Sequence, residues 1–97
     1  MAAKKSVSGK LQIIVGHRGW VHVGRVVSET ASEVVVEGSR CVRRWGTTKG
    51  LAFLGGAGPQ KDGSRETVLD APGTLRVHPL AIMHRYDCDE AAWRGHV

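Results

Sequence analysis

The sequence predicts an α+β fold that is mainly β, either a small SH3-like barrel or a strongly bent antiparallel sheet with one or two short helices. Three observations favour this fold. The chain has 97 residues, which is the size of one domain. Its apolar residues are mostly valine, isoleucine and leucine, and its 13 glycines suit tight turns between strands. Alternating runs of apolar residues dominate the first half of the chain.

Four strands are expected in this first half, over residues 10–15, 20–29, 32–38 and 39–45. The second strand alternates most clearly and places Val21 and Val23 on one face. The two glycines of segment 16–19 predict a hairpin turn before it. Gly24 inside the strand predicts a bulge or the close approach of another backbone segment.

A short helix is expected over residues 47–56, directly after the fourth strand. Thr47 or Thr48 is a suitable N-cap, and Gly55 a suitable end. Leu51 and Leu54 are three residues apart and would share the buried side of this helix.

The second half of the chain contains shorter elements. The polar, glycine-rich segment 55–65 predicts a flexible insert or a binding loop, because it exceeds the usual connection length. A short strand is expected at 66–70, and two more within 74–87, separated by Pro79. Residues 88–95 predict a terminal helix that begins with acidic residues, which the helix dipole favours there.

The positive charge is concentrated at the start of the chain. The formal net charge is +5, but Lys4, Lys5 and Lys10 supply three of the positive charges. The 11 basic and nine acidic residues from residue 11 onward leave a balance of only +2. We therefore expect a disordered basic tail over residues 1–9 and one β-rich domain over residues 10–97. The low charge of the domain makes nucleic acid a less favoured partner.

The sequence also indicates a cytoplasmic protein. No apolar signal core follows the first lysines, and the apolar run at 11–16 is too short to span a bilayer, so no membrane association is expected. Cys41 and Cys88 form no disulfide framework, and both are expected to be free thiols in a reducing compartment.

Enzymatic and metal chemistry are not favoured by the motifs. The spacings His17-x4-His22 and His84-x3-Cys88 match no strong zinc pattern, so no metal or other cofactor is expected. No nucleophile elbow, P-loop or dinucleotide-binding motif occurs. The acidic neighbours of Cys88 should raise its thiol pKa, which disfavours a thiolate nucleophile.

The strongest functional signal is the stretch "RCVRRWGTTKG" at residues 40–50. Arginine forks bind phosphate or carboxylate, an indole offers a stacking face, and a helix beginning near Thr47 would present the N–H groups of residues 48–50 to an anion. Arg43 is the preferred contact because it shares a strand face with Trp45. The candidate ligand-binding residues are Arg43, Arg44, Trp45, Thr47, Thr48 and Lys49. The alternative is a solvated arginine face with Trp45 packed in the core.

These segments carry a resemblance to a known family. "VHVG" at 21–24, a valine-rich strand, "RCVRRW" followed by the Leu51-x-x-Leu54 helix, and "CDEAAW" near the end resemble a family of small uncharacterised bacteriophage proteins. The chain departs from this pattern at Arg43 and Arg44, where aromatic residues are expected, and this favours an anion site over a purely aromatic platform. The resemblance implies a phage-encoded protein that acts in the host cytoplasm. By analogy with phage proteins of this size, it implies sequestration of a nucleotide-type defence signal.

The expected function is therefore non-enzymatic binding of an anionic, nucleotide-like ligand by a homo-oligomer. Two alternatives stay open. One is a nucleic-acid-binding accessory protein that uses the lysine tail and depends steeply on salt. The other is a structural or protein-interaction module without a small ligand.

Overall fold

A computed structural model describes residues 5–62 and 65–97 of the chain. Its strands are β1 (Lys5–Gly16), β2 (Val21–Glu29), β3 (Val34–Arg44), β4 (Lys61–Asp62), β5 (Arg65–Glu66), β6 (Val68–Leu69), β7 (Gly73–Val77) and β8 (Ile82–Asp87). Its α-helices are α1 (Leu51–Ala57) and α2 (Glu90–Trp93), and 3₁₀ turns cover His17–Gly19 and Pro79–Ala81. The expected α+β fold, mainly β with two short helices, is confirmed. No helix in these ranges is long and apolar enough to cross a membrane.

The main sheet is an antiparallel meander whose first strand lies in its interior. Its order is β6-β3-β2-β1-β8, and β7 pairs with the same edge of β3 as β6 but farther toward the start of β3. The predicted hairpin turn at 16–19 joins β1 to β2, and the predicted strand pair around Pro79 corresponds to β7 and β8. A separate pair, β4 with β5, forms a small hairpin beside the sheet.

The sheet is strongly curled. Residues 78–81 connect β7 to β8, although three strands lie between them in the sheet. The five residue steps from Val77 to Ile82 span at most about 18 Å when fully extended, and the 3₁₀ turn shortens them further. Four flat interstrand spacings would need about 19 Å. The sheet therefore bends until both edges reach the same concave face, and it stays open because β7 and β8 do not pair with each other in the described residues.

Both faces of the sheet carry buried side chains, because neighbouring residues of a strand point to opposite sides. Ile14 lies on the concave face in a cluster with Val26, Val34 and Val36, which Leu75, Val77 and Ile82 cover from the two edge strands. Ile13 lies on the other face in a second cluster. This second cluster comprises Leu11, Ile13, Val21, Val23, Val42, Leu51, Leu54 and Trp93. The expected buried side of α1, Leu51 with Leu54, is confirmed.

The two short helices are joined at Gly55. Its carbonyl oxygen accepts hydrogen bonds from the Trp93 indole Nε1 and from the Asp89 backbone N, each at 2.9 Å. The Asp89 carboxylate in turn caps α2 by accepting from Ala91 N at 3.0 Å. Trp93 is thereby fully buried between α1 and the sheet.

Gly24 lies where β3 comes close to the backbone of β2. The register between the two strands shifts between Val23 and Arg25. A Cβ on Gly24 would lie 2.6 Å from Val36 Cγ1 and 2.9 Å from Ser39 Cα. Both alternatives predicted for this glycine, a bulge and a close approach, are present.

Three sequence-based boundaries are wrong. The third and fourth predicted strands are one continuous strand, β3, because Gly38 forms a bulge opposite β7 rather than a turn. The predicted tail is shorter than nine residues, since β1 begins at Lys5 and pairs with the end of β2; residues 1–4 lie outside the described part. In the predicted loop at 55–65, α1 instead continues to Ala57, and β4 pairs with β5; residues 63–64 lie outside the described part.

Candidate anion-binding site

The stretch singled out in the sequence runs from the end of β3 into a loop before α1. β3 ends at Arg44, and α1 begins only at Leu51, with Gly50 as its N-cap at φ 95°. The prediction that Thr47 or Thr48 caps this helix is therefore wrong. The Thr47 hydroxyl instead accepts from Lys49 N at 3.1 Å, a local turn that competes with helix capping. The N–H groups of residues 48–50 thus precede the helix, and the expected backbone donors for an anion are lost.

Arg43 is already paired with an acidic residue. Its Nε lies 2.9 Å and 3.1 Å from the two carboxylate oxygens of Asp70. The hydrogen bond to Asp70 raises the pKa of the Arg43 guanidinium, and the charge of the carboxylate adds to this effect. Arg43 is therefore a poorer ligand contact than the sequence predicts, because an anionic ligand would compete with the Asp70 carboxylate for its guanidinium.

The other predicted residues lie around the loop without converging on one point. Arg44 and Thr48 are exposed, and the Lys49 ammonium lies 4.8 Å from the centroid of the Phe53 ring. Trp45 is 40% exposed, so the alternative in which its ring is packed in the core is wrong. The Trp45 carbonyl accepts from the Thr67 hydroxyl at 2.6 Å, and this bond ties the loop to the segment after β5.

Arg40 is the residue that sequence reasoning missed. Its Nε donates to the Asp70 carbonyl and its Nη1 to the His96 carbonyl, both at 2.6 Å. No carboxylate pairs with it among the described side chains. Arg40 is half-buried, and neutral backbone carbonyls rather than a carboxylate hold its guanidinium.

A cavity of about 270 Å³ lies beside this guanidinium. Besides Arg40, its polar lining includes Lys61, His96, Gln60 and Thr67. Pro59 and Leu69 supply apolar walls, and Glu66 is the one acidic residue in the described lining. We call this the Arg40 cavity. Its Thr67 is the same residue whose hydroxyl bonds to Trp45, so the predicted loop borders the cavity although it does not form it.

A second cavity, of about 210 Å³, lies on the opposite face of β3 and has a different character. His22, Cys41 and Asp70 are among its lining residues. Burial lowers the pKa of His22 and is the main cause that raises the pKa of Cys41, with the Asp70 carboxylate second. Both shifts favour the neutral forms. No arginine or lysine is among the described residues that line this cavity, so it is less suited to an anionic ligand.

The thiol chemistry agrees with the sequence-based expectation for Cys88. Burial is the largest cause that raises its pKa to about 12, followed by the charges of Asp87 and Glu90. The sequence indicated the acidic neighbours, whereas the burial is visible only in the fold. A thiol with this pKa is protonated at neutral pH and is a weak nucleophile.

The Arg40 cavity is identified as a candidate site from its shape and its charge alone. Within residues 5–62 and 65–97, no three side chains of histidine, cysteine, aspartate or glutamate come together as a metal site requires. Cys41 and Cys88 are free thiols. No protein-family model, curated protein or solved structure matches the chain.

Proposed function

We propose that the protein is a non-enzymatic binder of an anionic, nucleotide-like molecule, which it holds in the Arg40 cavity. The observation that carries this proposal is the Arg40 guanidinium, which lines a cavity with Lys61 and has no carboxylate partner among the described residues. A half-buried positive charge of this kind is stabilised when an anion binds beside it.

The two carbonyl contacts of Arg40 prepare it for such a ligand. They engage Nε and Nη1, while Nη2 donates to no described residue. The guanidinium is therefore oriented before the ligand arrives, and little side-chain entropy is lost on binding. Lys61 adds a second positive charge, and Gln60 adds a side-chain amide whose oxygen can accept a hydrogen bond from a sugar or a base.

The size and walls of the cavity favour a small ligand with both charged and planar parts. Its volume of about 270 Å³ lies near the lower end of ligand sites, enough for a phosphate with part of a nucleoside. Leu69 and Pro59 offer apolar contact to such a planar part. Trp45, joined to the wall through Thr67, places a half-exposed indole at the neighbouring loop.

Arg40 thus replaces Arg43 as the expected ligand contact. Arg44 and Lys49 lie outside the described lining of the cavity and make no direct contact with a ligand held there. Sequestration of a nucleotide signal of host defence, which the resemblance to phage proteins implies, is the biological role that this binding would serve.

Calorimetry with a panel of mononucleotides and cyclic dinucleotides tests the proposal, with a short oligonucleotide as a further probe at low and high salt. Lys61→Gln is the informative variant because this exposed side chain lines the cavity, and Lys49→Gln is the matched control beyond its lining. We expect one nucleotide to bind the parent, Lys61→Gln to weaken it roughly tenfold, and Lys49→Gln to leave it nearly unchanged.

Two results would reject the proposal. Tight oligonucleotide binding with a steep salt dependence, and no binding of single nucleotides, would favour the nucleic-acid alternative. Equal losses in the two lysine variants would mean that the cavity is not the binding site.

A further inference from the structure

A second surface of the protein consists of exposed apolar side chains around the turn between β1 and β2 and the start of β8. Trp20, Leu80 and Met83 expose 60%, 86% and 60% of their surface, the highest values among the large apolar residues described. None of the three residues is charged. Single exposed apolar residues are common on protein surfaces, but a group of three is not. We call this group the Trp20 patch.

The fold brings the three residues to one end of the sheet. The Trp20 carbonyl accepts from Gly16 N at 2.7 Å, which closes the β1–β2 turn. Gly16 is also the partner of Ile82 at the start of β8, and a Cβ on it would lie 3.7 Å from the Ala81 carbonyl. Trp20 is therefore next to the 3₁₀ turn that carries Leu80 and next to the first residues of β8.

The same end of the sheet has an open strand edge. β8 is the last strand of the sheet on this side, and in the described part no strand lies beyond it. α1 covers only the far end of this edge, since a Cβ on Gly55 would approach the Asp87 carbonyl oxygen to 2.8 Å. Within the described residues, no strand pairs with the outer edge of β8 near Met83. Met83 itself has no register partner on β1, because Val15 pairs with His84 and Gly16 with Ile82.

We infer that the Trp20 patch and the adjoining edge of β8 form a twofold interface between two copies of this chain. An antiparallel strand edge is complementary to a copy of itself rotated by 180°, so the open backbone groups near Met83 find partners without a second kind of surface. An uncharged patch fits an apolar counterpart, and the identical patch of a second copy supplies one.

The area agrees with a dimer contact. The three side chains together expose on the order of 400 Å², which equals the largest patch of a typical monomer. Two copies would bury about 800 Å² from these side chains alone. The backbone edge and the surrounding turn residues bring the total toward about 1,200 Å², the lower end of specific interfaces. We therefore expect a dimer of micromolar rather than nanomolar affinity.

Sedimentation velocity over a wide concentration range tests the inference, with Leu80→Glu as the disruptive variant. Leu80 contacts little within its own chain, so this variant should fold as the parent does, which circular dichroism checks. Val97→Glu is the matched control, because it places the same charge on another exposed apolar residue, 43% exposed and outside the Trp20 patch. The parent should reach twice the 10.5 kDa chain mass as its concentration rises.

Leu80→Glu should raise the dissociation constant of the dimer about tenfold to a hundredfold, and Val97→Glu should not change it. A parent that stays monomeric at all concentrations would overturn the inference, as would a dimer that both variants weaken equally. Flotation with vesicles of anionic phospholipid covers the rival partner: monomers that bind such vesicles through Leu80 would show that the patch faces a membrane instead. Slower hydrogen exchange at the Met83 amide in the dimer would place the contact at β8.

Discussion

Arg40 and Arg43 lie three residues apart on one strand, yet their guanidinium groups have opposite electrostatic situations. Two backbone carbonyls hold Arg40, and a carbonyl orients a guanidinium without cancelling its charge. The Asp70 carboxylate holds Arg43 and offsets part of its charge. The residue with the neutral partners is the one that still gains from an anion.

Substitution of each arginine in turn tests whether Arg40 or Arg43 contacts the ligand. Arg40→Gln should weaken nucleotide binding about tenfold to a hundredfold, because a charge-assisted hydrogen bond is lost. Arg43→Gln should bind nearly as tightly as the parent. Calorimetry against the nucleotide that binds the parent measures both, and circular dichroism confirms that both fold. If Arg43→Gln lost more binding affinity than Arg40→Gln, the ligand site would lie on the opposite face of β3.

The buried thiol of Cys88 should make stability depend on alkaline pH. Its pKa rises from 9.0 to about 12 in the folded chain, so the folded state retains a proton that the unfolded state releases. The resulting stabilisation is fully present below pH 9 and is lost as the pH rises from 9 through 12. Urea denaturation across this range should show a steeper loss for the parent than for Cys88→Ala. Parallel pH curves for the two proteins would contradict the burial of this thiol.

At the level of elements, the loop between β3 and α1 is fastened to the segment after β5 by close backbone contact. Gly46 has a φ of 74°, and a Cβ on it would lie only 2.3 Å from Thr67 N. From the same segment, the Thr67 hydroxyl donates a hydrogen bond to the Trp45 carbonyl in the loop. The wall of the Arg40 cavity that includes Thr67 therefore depends on the absence of a side chain at residue 46.

Gly46→Ala should be far more damaging than Gly50→Ala. Both glycines have positive φ, which costs an alanine about 1 kcal/mol. A Cβ on Gly46 would also collide with the Thr67 backbone, whereas nothing lies within 4 Å of a Cβ on Gly50. We expect a loss of unfolding free energy of about 1 kcal/mol for Gly50→Ala and about 3 kcal/mol for Gly46→Ala. Urea denaturation gives both values, and similar losses would mean that the loop relaxes away from Thr67.

The sequence predicts elements that depend on local patterns and misses those that depend on distant contacts. Alternation in β2 and the Leu51–Leu54 spacing in α1 arise from periodicity and are confirmed. The continuous β3 was missed because a glycine bulge and a glycine turn look alike in sequence, and only pairing with β7 distinguishes them.

The candidate site shows the same limit more strongly. Local alternation places Arg40 and Arg43 on opposite faces of β3, but the acid that neutralises Arg43 lies 27 residues away. The carbonyl that holds Arg40 at His96 lies 56 residues away. Neither partner has a spacing signal in the sequence, so alternation alone does not show which of the two arginines has an acidic partner.

At the scale of the whole molecule, one partly buried ion pair joins parts of the sheet that are not neighbours. Arg85 on β8 donates two hydrogen bonds to the carboxylate of Glu29 at the end of β2, although β1 lies between these strands. The pair therefore supports the curl of the sheet. Arg76 and Glu33 form a comparable pair at 3.3 Å, but their side chains are more exposed.

Removal of one partner from each pair should show this difference. Arg85→Met leaves the Glu29 carboxylate partly buried without its partner, and we expect a loss of about 1–3 kcal/mol of unfolding free energy. Arg76→Met should cost less than about 1 kcal/mol, as exposed pairs do. Urea denaturation followed by circular dichroism measures both variants. Equal costs would mean that the Arg85–Glu29 pair does not support the curl.

The position of β1 inside the sheet has a consequence for how the chain folds during synthesis. β1 is made early, yet one of its two edges pairs with β8, whose residues follow about 70 positions later in the chain. The ribosome therefore releases β1, β2 and β3 before the elements that cover them. At that stage the apolar side chains on both faces of this meander are exposed, because α1, β7, β8 and Trp93 have not yet been made. Sheets that need pairing between strands so far apart in the sequence fold slowly, on the order of milliseconds to seconds. In a growing chain the unpaired edge of β1 can therefore pair with a strand of another nascent copy until β8 has been made and pairs with it.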